Sequence, residues 1–241
     1  MRHLNKVRPH ERFVASGTYN GFRGGTPYNL TEKWTLHEHP DGAQFARIDW
    51  SLHDGEDDKT RLMEAWRSPP EAGGRIERLD LLALNNRNDA EINRVRATYT
   101  FSEHLIEIGR TVDDQPREYH EFPVQDNFFI YSLSVLIDSW LAAQWIEGED
   151  KPATCFAYRE ESAFEGLMCH QTLRAIGETE LTIGEKTFPV RQYERVLSGE
   201  GDSEHMTQLW LDQYGIPLKQ VGPKPDHAMN LTEYARRPEQ S

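Results

Sequence analysis

Apolar and polar residues alternate along most of this chain, in short runs broken by turn formers. Over 44–52, QFARIDWSL sets Ala46, Ile48, Trp50 and Leu52 on one side and Phe45, Arg47, Asp49 and Ser51 on the other. That is the two-residue period of a strand. Leu62, Glu64 and Trp66 alternate in the same way with Met63, Ala65 and Arg67. Val95, Ala97, Tyr99 and Phe101 alternate with Arg94, Arg96, Thr98 and Thr100, the pattern of an antiparallel strand with one wet face. Residues 31–39 and 104–112 are further strands of this half. Pro40-Asp41-Gly42, the charged stretch 53–59, Gly73-Gly74 and Asp113-Asp114-Gln115-Pro116 separate them with turn chemistry. Beyond residue 150, strands are expected at 154–160, 167–176, 180–183, 188–196, 205–212 and 231–236. Gly184-Glu185-Lys186 supplies a hairpin turn.

One stretch departs from the alternation. DNFFIYSLSVLIDSWLAAQW, residues 126–145, is the one long apolar run. It predicts a helix over about residues 126–147, apolar on nearly every side, and such a helix must be buried all round. Asp126 or Asn127 would cap its start and Gly148 would stop it. An ionised carboxylate inside a plug needs a partner, so Asp138 either marks the polar end of a pocket or, the favoured reading, lies at the helix's exposed edge. The fold class that follows is mainly β with one long buried helix: an antiparallel curled sheet or half-barrel wrapped around a plug. With no repeat and no long linker, the chain reads as a single β-rich domain over 1–241.

The helix DNFFIYSLSVLIDSW, the segment EKTFPVRQYERV and the strand–turn LWLDQYGIPLKQV give this order a likeness. Trp210, Asp212, Gly215 and Pro217 stand where a tryptophan-bearing strand turns and restarts. Over about residues 120–236 the chain resembles the LolA/LppX lipoprotein-carrier superfamily, nearest to its uncharacterised bacterial half-barrel domains. The resemblance implies an unclosed barrel over an apolar cavity able to hold a hydrophobic molecule. Exported carriers begin with a signal peptide, often with a lipobox cysteine. The N-terminal segment MRHLNKVRPHERF is basic and lacks an apolar core, so the expected location is cytoplasmic and lipid shuttling across an envelope is in doubt.

Charge narrows the partners. The 241 residues carry a formal net charge of −13, which disfavours nucleic acid and anionic membranes. The apolar run holds Asp126 and Asp138 and is too polar for a membrane span. Oligomeric state is not legible. The two cysteines, Cys155 and Cys169, are too few for a disulfide framework; they could pair if adjacent strands bring them close, and are read as reduced packing residues.

Candidate chemistry is sparse. Arg47, Asp49 and Ser51 form a polar stripe, for which the solvent-facing reading is favoured. Facing a cavity, Arg47 would hold a carboxylate or phosphate head group, with Asp49 orienting it or acting as a base. Glu64, between Leu62 and Trp66, is a second candidate acid or base if burial raises its pKa. Trp66, Tyr99 and Tyr131 are candidate ligand-lining residues, though packing is the more ordinary role for tyrosine. His37 and His39 share a strand face, but no spacing supplies further zinc ligands, so no metal and no cofactor is expected. No phosphate loop or nucleophile elbow occurs. The expected function is binding of a hydrophobic or amphipathic, lipid-like small molecule in the cavity of a curled sheet. The alternative is a cofactor-independent isomerase, lyase or hydrolase using the same cavity, with Asp49 or Glu64 catalytic.

Overall fold

The structure is a computed structural model, and it describes residues 10–55, 57–86, 92–124, 129–131, 134–142, 150–156, 164, 166–198, 204–222, 224 and 226–238. The described chain is mainly β. Its strands are β1 (Arg12–Arg23), β2 (Thr26–Glu38), β3 (Gln44–Asp54), β4 (Asp57–Arg67), β5 (Ile76–Asn85), β6 (Arg94–Phe101), β7 (Leu105–Val112) and β8 (Glu118–Pro123). Then come β9 (Phe129–Tyr131), β10 (Asp150–Phe156), β11 (Gly166–Ile183), β12 (Lys186–Ser198), β13 (Glu204–Leu211), β14 (Pro217–Val221) and β15 (His227–Arg236). One α-helix, α1 (Val135–Ala142), lies between β9 and β10. Contacts divide the chain into two compact units: residues 1–18, 29–124 and 233–241, and residues 19–28 and 125–232.

In the first unit the strands follow the hydrogen-bonded order β8-β7-β6-β5-β4-β3-β2-β1-β15. Register explains its core. Trp34, Ile48, Met63, Leu81 and Ala97 stand opposite one another in turn, and so do Leu36, Ala46, Ala65, Leu79, Tyr99 and Ile108. All of these side chains are buried. Paired residues share a face, so the alternation in each strand adds up to one continuous apolar layer. The opposite face carries Thr35, Arg47, Glu64, Asp80 and Thr98 in one row and His37, Phe45, Trp66, Arg78 and Thr100 in the next.

That second face is not the solvated stripe expected from the sequence. Phe45 and Arg47 on it are as buried as Ala46 and Ile48 behind them, all at 0% exposure. The reason is a non-local cover: Glu11, just before β1, lies on Arg47.

In the second unit the order is β1-β15-β14-β13-β12-β11-β10-β9. Among the described residues its strands pair antiparallel, except β9 with β10, which is parallel. The expected helix over 126–147 is corrected here. Residues 129–131 are strand, and the α-helix has eight residues; Asp126, Asn127 and Gly148 lie outside the described residues. Phe129, Ile130 and Tyr131 are β-favouring side chains, and an apolar run alone does not separate a buried strand from a buried helix. Ser134 caps α1, its hydroxyl accepting from the Ile137 N–H at 3.3 Å.

Asp138 is also corrected: it is buried, not at an exposed edge, and accepts from Arg195. The cysteines are not the reduced packing residues expected. Cys169 is disulfide-bonded, and the only other cysteine in the chain is Cys155. Cys155 and Cys169 are on adjacent paired strands, β10 and β11, two registers apart, which spacing along the chain does not reveal.

Candidate functional site

Four of the sequence-predicted residues meet on the polar face of the first unit. Arg47 and Glu64 are direct cross-strand neighbours, with Arg47 Nε 3.6 Å from Glu64 Oε1. Arg47 Nη2 donates to both carboxylate oxygens of Glu11 at 3.0 Å. The guanidinium lies 4.3 Å from the centroid of the Phe45 ring, and Phe45 stacks on Trp66 at 6.1 Å. Asp49 is two residues along β3 on the same face. Tyr99 is not part of this group. It lies in the apolar layer on the other side of the sheet, stacked with Phe101, and burial pushes its hydroxyl pKa upward. Tyr131 belongs to β9 in the second unit.

His37 completes the buried cluster, with Nδ1 3.9 Å from Glu11 Oε2 and its ring 5.6 Å from Phe45. Burial first, and the Arg47 charge second, lower its pKa, against the pull of Glu11. His37 is therefore neutral at neutral pH, and neither ring nitrogen has a hydrogen-bond partner. His39 also packs on Phe45, at 5.7 Å. His53 instead pairs with Asp58 at the β3–β4 turn, at 2.8 Å. Among the described residues no group of three or more His, Cys, Asp or Glu is placed to hold a metal ion.

Chemically this cluster is a clamp. One cation is shared by two carboxylates, and the carboxylate that Arg47 was expected to take from a ligand is supplied by Glu11 of the same chain. A third anion would face a net negative, desolvated site.

A second site, which the sequence reading did not mark, is in the second unit. A groove of about 900 Å³ is lined by Glu178 and Glu180 of β11, Pro189, Arg191 and Tyr193 of β12, Leu211, and the turn from Asp212 to Gly215. The turn is rigid for local reasons. Asp212 Oδ1 accepts from the backbone N–H of Tyr214 at 2.9 Å and of Ile216 at 2.8 Å. Gly215 adopts φ of 76°, where a side chain would be strained.

The groove's floor continues a buried sheet face. Arg191, Tyr193 and Arg195 alternate along β12, and Arg195 stands opposite Leu173 on β11 and Thr207 on β13. One step beyond the groove, Arg195 Nη2 donates to Asp138 of α1 at 3.0 Å, with both side chains buried. The signal for this site was present as Asp138 within the apolar run and Arg195 within an alternating strand. Their 57-residue separation hid the pairing.

No protein-family model matches the chain, and no curated protein matches it. A solved structure does. The beta-barrel-like protein of domain of unknown function DUF1849 from Brucella abortus superimposes with a TM-score of 0.57, over 94% of this chain and 98% of its own. The two share a fold. Their identity is 8%, so the likeness speaks to architecture alone. The β-barrel-like architecture expected from the sequence is thereby supported, while a specific tie to LolA/LppX carriers is not part of that finding.

Proposed function

We propose that the chain is a binding protein for a hydrophobic or amphipathic small molecule, held in the groove of the second unit. The groove is the observation that carries the reading. Its volume, about 900 Å³, falls within the range of small-molecule sites, and its lining mixes apolar with placed polar groups as such sites do. Pro189, Val190, Leu211 and the Tyr193 and Tyr214 rings supply apolar surface; Arg191, Glu178 and Glu180 supply charge at its rim. The resemblance to lipoprotein carriers points to the same ligand class.

The Cys169 disulfide favours an oxidising compartment over the cytoplasm, since reducing pools keep cytosolic thiols free. Among the described residues no helix is long and apolar enough to cross a membrane.

The test is native purification, organic extraction and mass spectrometry of the extract, run alongside a Tyr193→Ala variant. A stoichiometric lipid or hydrophobic metabolite that falls away in the variant supports the proposal. A protein that is empty, and that binds no amphiphile on titration, overturns it.

A further inference from the structure

We infer that the buried sheet face adjoining this groove, one same-face step beyond Tyr193, is a seat for a neutral, oxygen-bearing head group, an ester or amide carbonyl, beside Arg195. The inference rests on the groove reading above and names its ligand class. Gln171, Leu173, Arg195, Leu197, Thr207 and Leu209 share one sheet face by register. All six are buried. Leu173, Leu197 and Leu209 are aliphatic, and Arg195 is ion-paired with Asp138. The Thr207 hydroxyl and the Gln171 side-chain nitrogen are fully enclosed and have no hydrogen-bond partner, in residues 1% and 2% exposed.

An enclosed polar group left unpaired costs about 1–3 kcal/mol. Such groups occur where a water or a ligand atom completes them. Their position decides between a stray packing defect and a seat. Thr207 is directly opposite Arg195 and Gln171 diagonal to it. Tyr193, in the groove's lining, is the neighbouring same-face residue on β12, roughly 7 Å from Arg195 along the strand. Thr207 and Gln171 lie outside the groove's lining, one strand to either side of Arg195, so a head group has to pass Tyr193 to meet them.

Charge then selects the chemistry. Arg195 is already paired with Asp138 at 3.0 Å, so its charge is met from within the chain. Burying a further anion there costs desolvation, and the cation beside it already has a carboxylate partner. A carbonyl accepts from the Thr207 hydroxyl and from the Gln171 amide without adding charge. A long-chain ester or amide is therefore preferred over the fatty acid anion, and both over an alkane.

The experiment uses the full chain and a fluorescent monoacylglycerol, kept below its aggregation threshold and read by anisotropy. Unlabelled monoacylglycerol, oleate and hexadecane compete in turn. The expected order is ester, then anion, then alkane. Thr207→Val is expected to weaken ester binding about five- to tenfold, the worth of one hydrogen bond, while Thr207→Ser keeps it. Tyr193→Ala weakens all three ligands together. Should ester, anion and alkane compete equally and Thr207→Val be silent, the seat is refuted while the groove stands. Binding of none of them refutes both. The competition series needs no variant, so a misfolded Thr207→Val leaves the inference testable.

Discussion

Arg47 shows how one side chain acquires its role from its surroundings. Its guanidinium and the Glu11 carboxylate are both fully enclosed. Removing one partner leaves the other as an uncompensated buried charge, which costs about 3–5 kcal/mol. Arg47→Met is expected to lower unfolding stability by that order in urea titration, and pairing it with Glu11→Gln should restore most of the loss. Strictly additive losses would show that the two groups do not act as a pair.

His37 gives a pH dependence. Its folded pKa lies below the ordinary 6.5, so the unfolded chain takes up the proton first. The contribution of a neutral His37 is complete above 6.5 and is lost as pH falls from there toward the folded-state value. Thermal melts should therefore decline more steeply over that window in the parent than in His37→Phe, which has nothing to titrate. Parallel curves would remove His37 as the cause.

At the scale of elements, two cross-connections hold α1 and β10. Asp138 ties α1 to β12 through Arg195, and α1 packs beside β9 and β14. Asp138→Asn is expected to speed amide exchange across residues 135–142 while leaving β6 and β7 unchanged. β10 is joined to β11 by its ladder and by the Cys169 disulfide. Iodoacetamide without reductant should label neither cysteine, and reduction should cost about 2–4 kcal/mol of stability. A free thiol in the unreduced protein would contradict the bond.

Elements also show what local pattern reveals. β3, β4 and β6 were legible because each alternates strongly. β5, over Ile76–Asn85, carries leucines on both sides, with Leu79 and Leu81 buried and Leu82 and Leu84 half-buried, so its period was blurred. The strands expected at 167–176 and 180–183 are one strand, β11, with a register irregularity at Ala175/Gly177. A bulge of that kind breaks the alternation without ending the pairing.

At the scale of the molecule, the fold is shared with a β-barrel-like protein at 8% identity. Many sequences satisfy the same alternation, and fold does not carry function with it. The functional question belongs to the groove, and the extraction experiment addresses it directly. An extract rich in acyl esters would favour the head-group seat at Thr207.

Which residues share a face is readable from the order of amino acids alone. Side-chain direction in a strand follows from a two-residue backbone period, and that is a local property. It thus put Arg47, Asp49 and Ser51 on one side of β3, and Leu62, Glu64 and Trp66 together on β4. Which faces are wet is set by the folded chain. Burial depends on what lies over a face, and the covering groups come from far along the chain: Glu11 reaches Arg47 across 36 residues and Asp138 reaches Arg195 across 57. Arg47, expected as a head-group contact, is one such case. Its charge is met from within the chain, while the open groove formed where β11, β12 and the turn after β13 come together.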